Sequence, residues 1–359
     1  MGRIGKRVLL VAPVIVVCAA LAAFFAVKPK GNEADGINSY FLAGSGEKQE
    51  NIRLLFSLLD REEDGTDANF AVVREISGAF FREGEYSRLI NFLAERIVRF
   101  PDDPFNTYHL LMIAYANIRN GSDAIAARYF EMIVKNYPDL EVNGESAHLL
   151  SLLWLIDFEK NPERLARYYN ELLSRFPDGI KKGEILFRLA SVYERTGNWD
   201  GAMQAYSEFL RQDKMTVPGF PEAESTARQK VNFNNSARNW TFESLPALTA
   251  AVRSAIENGS PYTLRGIQAG VNFFTRSWGQ DNIISRNPIN IAEFMRGARI
   301  RYADSFHERS GENEAFLRTW GWPMTVSVWY LYFRKVDFPA DPAVHGNWEW
   351  AGIYFGEVF

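Results

Sequence analysis

Three times the chain ends an apolar-periodic stretch with an aromatic residue, a proline and an aspartate: RFPDD at 99–103, NYPDL at 136–140 and RFPDG at 175–179. The prolines Pro101, Pro138 and Pro177 stand 37 and 39 residues apart. A nearly constant period of this size marks stacked structural units, none of which can bury its apolar face alone. Proline stops a helix because it has no N–H to donate, and an aspartate behind it, here Asp102 or Asp103, can cap the helix that follows. Placing each motif at the end of a unit lays out four helix-turn-helix units of 34 residues, 70–103, 107–140, 146–179 and 183–216.

The fourth unit, GEILFRLASVYERTGNWDGAMQAYSEFL, carries Leu189 and Ala190, then Tyr193, Gly197, Trp199, Ala202 and Tyr206. Small residues let two helices approach, the glycine relieves the turn, and the aromatics fill the space between successive hairpins. This pattern resembles the tetratricopeptide repeat. The first unit matches at Ile76, Ser77, Phe80, Gly84, Tyr86 and Pro101, with Leu89 at the alanine position; the second at Ile113, Ala114, Gly121, Ala126, Phe130 and Pro138, with Asn117 replacing the aromatic. The third is degenerate, with Lys160 at its turn glycine and Leu165 at its alanine. The resemblance implies an α-solenoid whose first helices line a concave groove. Family groove positions fall here on Arg74, Phe81, Arg82, Tyr108, Tyr115, Arg119, Trp154, Phe158, Glu194 and Arg195. Aromatics with arginines suit protein recognition. The alternative is that these side chains pack against a capping helix or the C-terminal domain. The Lys/Asn set with which some family members clamp a C-terminal carboxylate is not reproduced.

The remainder is read around this array. A run without charge at 8–27, VLLVAPVIVVCAALAAFFAV, follows Arg3, Lys6 and Arg7 and has the length of a bilayer core of about 30 Å. It predicts a transmembrane helix in a bacterial inner membrane, with the N-terminus inside and the bulk in the periplasm. Cleavage after Ala22 and lipidation at Cys18, the single cysteine, are the alternatives. Residues 31–48 read as a flexible tether, and 50–61 as an amphipathic helix that caps the array. MTVPGFPEAES at 215–225 reads as a boundary, and 217–359 as an aromatic-rich α+β domain. Two helices are expected there, at 245–257 and 262–278, then a short helical piece at 291–295. Antiparallel strands follow within ARIRYADSF, EAFLRTWG, TVSVWYLYF and WEWAGIYFG. In the last strand, period-2 geometry predicts Trp348, Trp350 and Tyr354 on one side and Glu349, Ala351, Ile353 and Phe355 on the other. This domain resembles a nuclear-transport-factor-like or cystatin-like fold. The expected class is thus mainly α: an N-terminal transmembrane helix, a solenoid of about four units, and an α+β domain with antiparallel strands.

Chemistry is sparsely signalled. The formal net charge is -4, which provides no field for nucleic acid. His109, His148, His307 and His345 do not fall at metal-ligand spacings. In DREEDGTD at 60–67, Asp60, Glu62, Asp64 and Gly65 take the first, third, fifth and sixth positions of a calcium loop, but Ala71 stands where the bidentate glutamate is required, so this reads as a solvated loop. No catalytic residue, metal or cofactor is expected, and the chain reads as a scaffold rather than an enzyme. Seven of nine tryptophans lie beyond residue 217. Trp329, Trp348, Trp350 and Tyr354 are therefore candidate stacking residues for a cell-wall glycan or small ligand, with packing in a core as the competing reading.

Overall fold

The computed structural model describes residues 39–42, 46–213, 216–278 and 290–358, which divide into two compact units at 151/152. In the first, a 3-10 turn (Ser39–Phe41) precedes helices α1 (Glu47–Leu59), α2 (Asp67–Arg82), α3 (Tyr86–Arg99), α4 (Asn106–Arg119) and α5 (Asp123–Asn136). A two-residue hairpin, β1 (Glu141–Val142) with β2 (Glu145–Ser146), leads into α6 (Ala147–Phe158), which runs through the division. The amphipathic pattern of α3 buries Leu89, Phe92, Leu93 and Arg96, one helical stripe. Against it pack Val73, Ile76 and Phe80 of α2 and Ile113 of α4. Phe41, within the stretch read as a tether, is buried here too, 5.9 Å from Phe56 and 6.0 Å from Phe92 between ring centroids. Hairpin turns are closed by Gly84 and Gly121, both near φ +75°, where a Cβ would be strained.

The recurring motif does different work at each joint. At RFPDD, Asp103 accepts from the Phe105 N–H at 2.8 Å, and its carboxylate lies 3.6 Å from buried Arg96. Arg96 also donates to Asn69 at 2.7 Å and sits 3.6 Å from Asp64, so the acidic 60–67 loop is tied to the array. Asn106 donates to the carbonyls of Phe100 and Pro101, which proline termination leaves without helical partners. At NYPDL, Asp139 accepts from Ser146 Oγ and from the N–H groups of Leu140 and His148. Though burial opposes it, these hydrogen bonds hold the Asp139 carboxyl below its usual range. At RFPDG, Gly179 N–H closes a turn onto Phe176 and Asp178 stays exposed.

The second unit continues with α7 (Pro162–Arg175), α8 (Lys182–Arg195), α9 (Trp199–Phe209) and α10 (Ala223–Asn234). Where the third hairpin lacks its glycine, Asn161 caps α7 by accepting from the Arg164 N–H, and Pro162 sits in the first turn, where it costs no hydrogen bond. Helix α10 has two allegiances. Ala223 and Ala227 pack with Ala202, Tyr206 and Phe209, whereas Phe233 at its far end enters the next core. Helices α11 (Leu245–Glu257) and α12 (Pro261–Ile267) then cover one face of a five-stranded sheet. Its strands are β3 (Phe274–Ser277), β4 (Arg301–Tyr302), β5 (Glu314–Trp320), β6 (Val328–Lys335) and β7 (Trp348–Phe355), in the order β3-β7-β6-β5-β4. The short α13 (Ile291–Met295) adds Ile291 and Met295 to the same core.

Several expectations are corrected. The helix predicted over 262–278 ends at Ile267: the Ala269 N–H bonds to the Trp350 carbonyl, and the chain pairs along β7 as β3. Gly270 is what permits this path, because a Cβ there would meet the Trp240 ring at 2.7 Å. β3 runs parallel to β7, so the sheet is mixed rather than antiparallel. In β7, Gly352 faces Tyr332 and Trp350 faces Phe333, leaving Ala351 as the extra residue of a bulge. The bulge resets the alternation, so Trp350 and Ile353 share the helix-covered core while Tyr354 joins rings on the other face. Finally, no described helix is long and apolar enough to cross a membrane. The transmembrane helix expected over 8–27 lies outside the described residues, and the expected single-pass inner-membrane topology is not supported.

Two outcomes follow. Gly321 has φ +89°, and a Cβ there would lie 2.4 Å from the Arg299 carbonyl oxygen. Gly321→Ala should destabilise the sheet domain by about 2 kcal/mol or more, whereas Gly84→Ala, strained but with open space around it, should cost about 1 kcal/mol. Denaturant titration with tryptophan fluorescence and circular dichroism separates the two. His109 is buried with Nε2 unpartnered, and burial brings its pKa down from 6.5 to about 4, with Arg96 adding and Asp103 opposing. The unfolded chain therefore takes up a proton between pH 6.5 and 4 that the folded chain refuses. Stability should fall across that window as pH drops, by about 3 kcal/mol. Denaturation at a series of pH values checks this: His109→Leu should flatten the dependence.

Candidate partner-binding site

In the first unit the candidate groove residues lie on α2 and α4, the first helices of two successive hairpins. Residues 74, 78, 81 and 82 fall on one face of α2, at offsets of four, seven and eight. Arg119 near the end of α4 reaches over the Phe81 ring at 5.7 Å, and Phe81 meets Tyr86 edge-on at 5.5 Å. Tyr115, one turn earlier on α4, is half-buried against Phe130 at 6.0 Å. Tyr108 is buried, its phenol pushed up chiefly by desolvation, with Arg74 and Glu75 as the charges that act on it. Arg74, Arg82 and Arg119 are exposed. The structure thus brings six predicted residues to neighbouring places: rings seated in the helices, guanidinium groups outside them.

In the second unit, Trp154 and Phe158, one turn apart on α6, lie 5.4 Å apart. Arg195 is exposed, but Glu194 is not a free groove acid. It accepts from the Tyr206 hydroxyl at 3.2 Å and is ion-paired with Lys230 of α10. Around this pair lies a cavity of about 310 Å3 walled by Phe187, Ser191, Tyr206 and Phe220. Phe220 is 44% exposed; its ring lies 5.3 Å from Phe187 and carries the Arg188 guanidinium at 5.7 Å. Sequence reasoning missed these wall residues because the prolines around Phe220 read as a boundary. The signal was present in Ala223, Ala227 and Val231, an i, i+4, i+8 stripe that marks α10 as another packed helix.

The sheet-domain candidates separate. Trp329, Trp348 and Trp350 are core residues, 0%, 7% and 0% exposed, and Trp329 stacks on Trp322 at 4.1 Å. No ring face of these three is available for stacking on a sugar. Tyr354 lies on the sheet's other face, stacked at 4.4 Å against Trp278 and edge-on to Phe316, Tyr332 and Phe274. Period-2 alternation alone could not sort them, since the bulge at Ala351 decides the faces.

The histidines hold structure in separate places. His148 Nε2 meets the Tyr137 carbonyl at 3.0 Å, His307 Nδ1 accepts from the Arg309 N–H, and His345 Nδ1 accepts from the Phe338 N–H. Among the described residues no group of three or more His, Cys, Asp or Glu is placed to hold a metal ion.

A family model for the tetratricopeptide repeat matches residues 110–140 and 184–213, which cover most of α4, all of α5, and the α8–α9 hairpin. Comparison with curated proteins and with solved structures gives no match. The two matches, together with the repeat-like arrangement of helical hairpins, support a tetratricopeptide-repeat protein built for protein–protein interaction.

Proposed function

We propose that this chain is a non-enzymatic scaffold that holds a protein partner on the inner face of its repeat helices. The observation that supports the reading is the α2/α4 face, where Phe81 and Tyr115 are half-buried and fixed by their neighbours while Arg74, Arg82 and Arg119 stand in solvent. Rings held in place lose little entropy on binding, and arginine beside them supplies directional donors. Trp154, Phe158 and Arg195 extend the same reading to the second unit. The glycan reading loses its footing, because Trp329, Trp348 and Trp350 are spent on the core.

Partner capture by the full chain tests the proposal. Phe81→Ala combined with Tyr115→Ala should retain the helical circular dichroism yet weaken partner recovery, by about 30-fold if each ring behaves as an interface anchor. Undiminished recovery of the same protein by the folded double variant would overturn the groove assignment.

A further inference from the structure

Resting on the groove reading above, we infer that the α2/α4 face takes an acidic, extended peptide segment. Five cations of the first unit have a carboxylate partner. Lys48 pairs with Glu83 at 2.6 Å, Arg53 with Glu50 at 3.9 Å, Arg88 with Glu85, Arg96 with Asp64 and Asp103, and Lys135 with Glu131. Six of its arginines, Arg61, Arg74, Arg82, Arg99, Arg119 and Arg128, have no carboxylate within ion-pair distance among the described residues, and what sets Arg74, Arg82 and Arg119 apart is that they gather on the α2/α4 face. All three are exposed and belong to the one face. The acids on the neighbouring elements do not neutralise it, since Glu83 is held by Lys48 from α1 and Glu85 by Arg88 on α3. Glu75 follows Arg74 in the chain, and its charge acts on Tyr108.

Local geometry gathers these charges. Gly78 sits one turn from both Arg74 and Arg82, and a Cβ at that position would lie 3.1 Å from an Arg82 terminal nitrogen. The Arg82 guanidinium therefore folds back over the glycine toward Arg74, along the helix rather than away from it. A glycine inside a helix costs about 1 kcal/mol relative to alanine. Here it leaves a shallow floor beneath a cation. On α4, Tyr108 and Arg119 mark a stripe of about 16 Å, the reach of about five extended residues. Arg74 acts on Tyr108 at one end, and Arg119 crosses to Phe81 at the other. A peptide laid along this face meets a guanidinium at each end, another folded over the α2 surface, and rings between them. Side-chain carboxylates fit the guanidinium forks, and apolar side chains of the same peptide fit against Phe81 and Tyr115. The formal net charge of -4 leaves no broad positive field, so the complementarity is confined to this stripe, which disfavours a nucleic-acid backbone.

Fluorescence anisotropy with the full chain tests the inference, using labelled peptides of alternating Glu and Phe, Gln and Phe, and Lys and Phe. The Glu/Phe peptide should bind, with the other two weaker by about tenfold or more and the difference reduced by salt. Arg74→Gln, Arg82→Gln and Arg119→Gln together should weaken Glu/Phe binding by about tenfold or more. Arg53→Gln, Arg228→Gln and Arg265→Gln, with the same change in net charge, should leave it within about twofold. Equal binding of the Glu/Phe and Gln/Phe peptides, or indifference to the first triple substitution, overturns the acidic assignment. So does a single-stranded RNA that competes through the same arginines. If Gln/Phe binds as tightly as Glu/Phe and both are lost on Phe81→Ala with Tyr115→Ala, the groove stands and only its charge preference falls. Failure of every peptide overturns this inference, while partner capture judges the groove separately.

Discussion

A helical hairpin has two apolar faces and can cover neither by itself, so each unit depends on how the next one is attached. In the first unit that attachment is a buried polar joint. Arg96 comes from the end of one hairpin, Asp103 from the loop and Asn69 from the start of α2; Asn69 accepts from the Arg96 guanidinium and Asp103 lies at ion-pair distance, while Arg96 Nε has no partner. A buried guanidinium is tolerable only where such partners converge. Once they converge, α4 can take only a narrow range of positions against α2, and Arg119 comes to lie over Phe81. The α2/α4 face proposed for a partner lies beside this joint.

The second unit solves the same problem at its end. Helix α10 lies where a further hairpin would have to begin. Its alanines cover the last repeat, and Phe233 anchors the sheet domain beside Trp240 and Phe338. The cavity between Phe187, Tyr206 and Phe220 is walled on one side by Ala223, Thr226 and Lys230 of α10, and the Glu194–Lys230 pair spans from α8 to α10 beside it. Glu194 thus changes role, from an acid expected in the groove to a strut between α8 and α10.

The tryptophan-rich domain shows how little composition says about availability. Core packing takes Trp329, Trp348 and Trp350, and the rings left on the other side of the sheet are those of Phe274, Phe316, Tyr332 and Tyr354 under Trp278. Gly352 belongs to that arrangement, since a Cβ there would come within 2.8 Å of the Phe274 ring. This face is therefore packed within itself, which leaves the α2/α4 surface as the better supported place for a partner.

Repeat order was legible in the chain because it is a local and periodic constraint: proline, glycine and small-residue positions act within a few residues of themselves. The strands at 314–320, 328–335 and 348–355 were legible for the same reason, from β-rich local pattern. Of the groove, sequence placed Phe81, Tyr115 and Arg119 at family positions, but could not say that Arg119 would cover Phe81 or that Glu194 would be claimed by Lys230. Those outcomes join residues 38 and 36 positions apart, and only packing brings them together. The bulge at Ala351 and the turn of 268–277 into a strand likewise depend on partners, Phe333 and Trp350, that no local window contains. Sequence determined the units and their punctuation, which are short-range steric facts. Tertiary structure decided which side chains face outward, because burial depends on every neighbour at once.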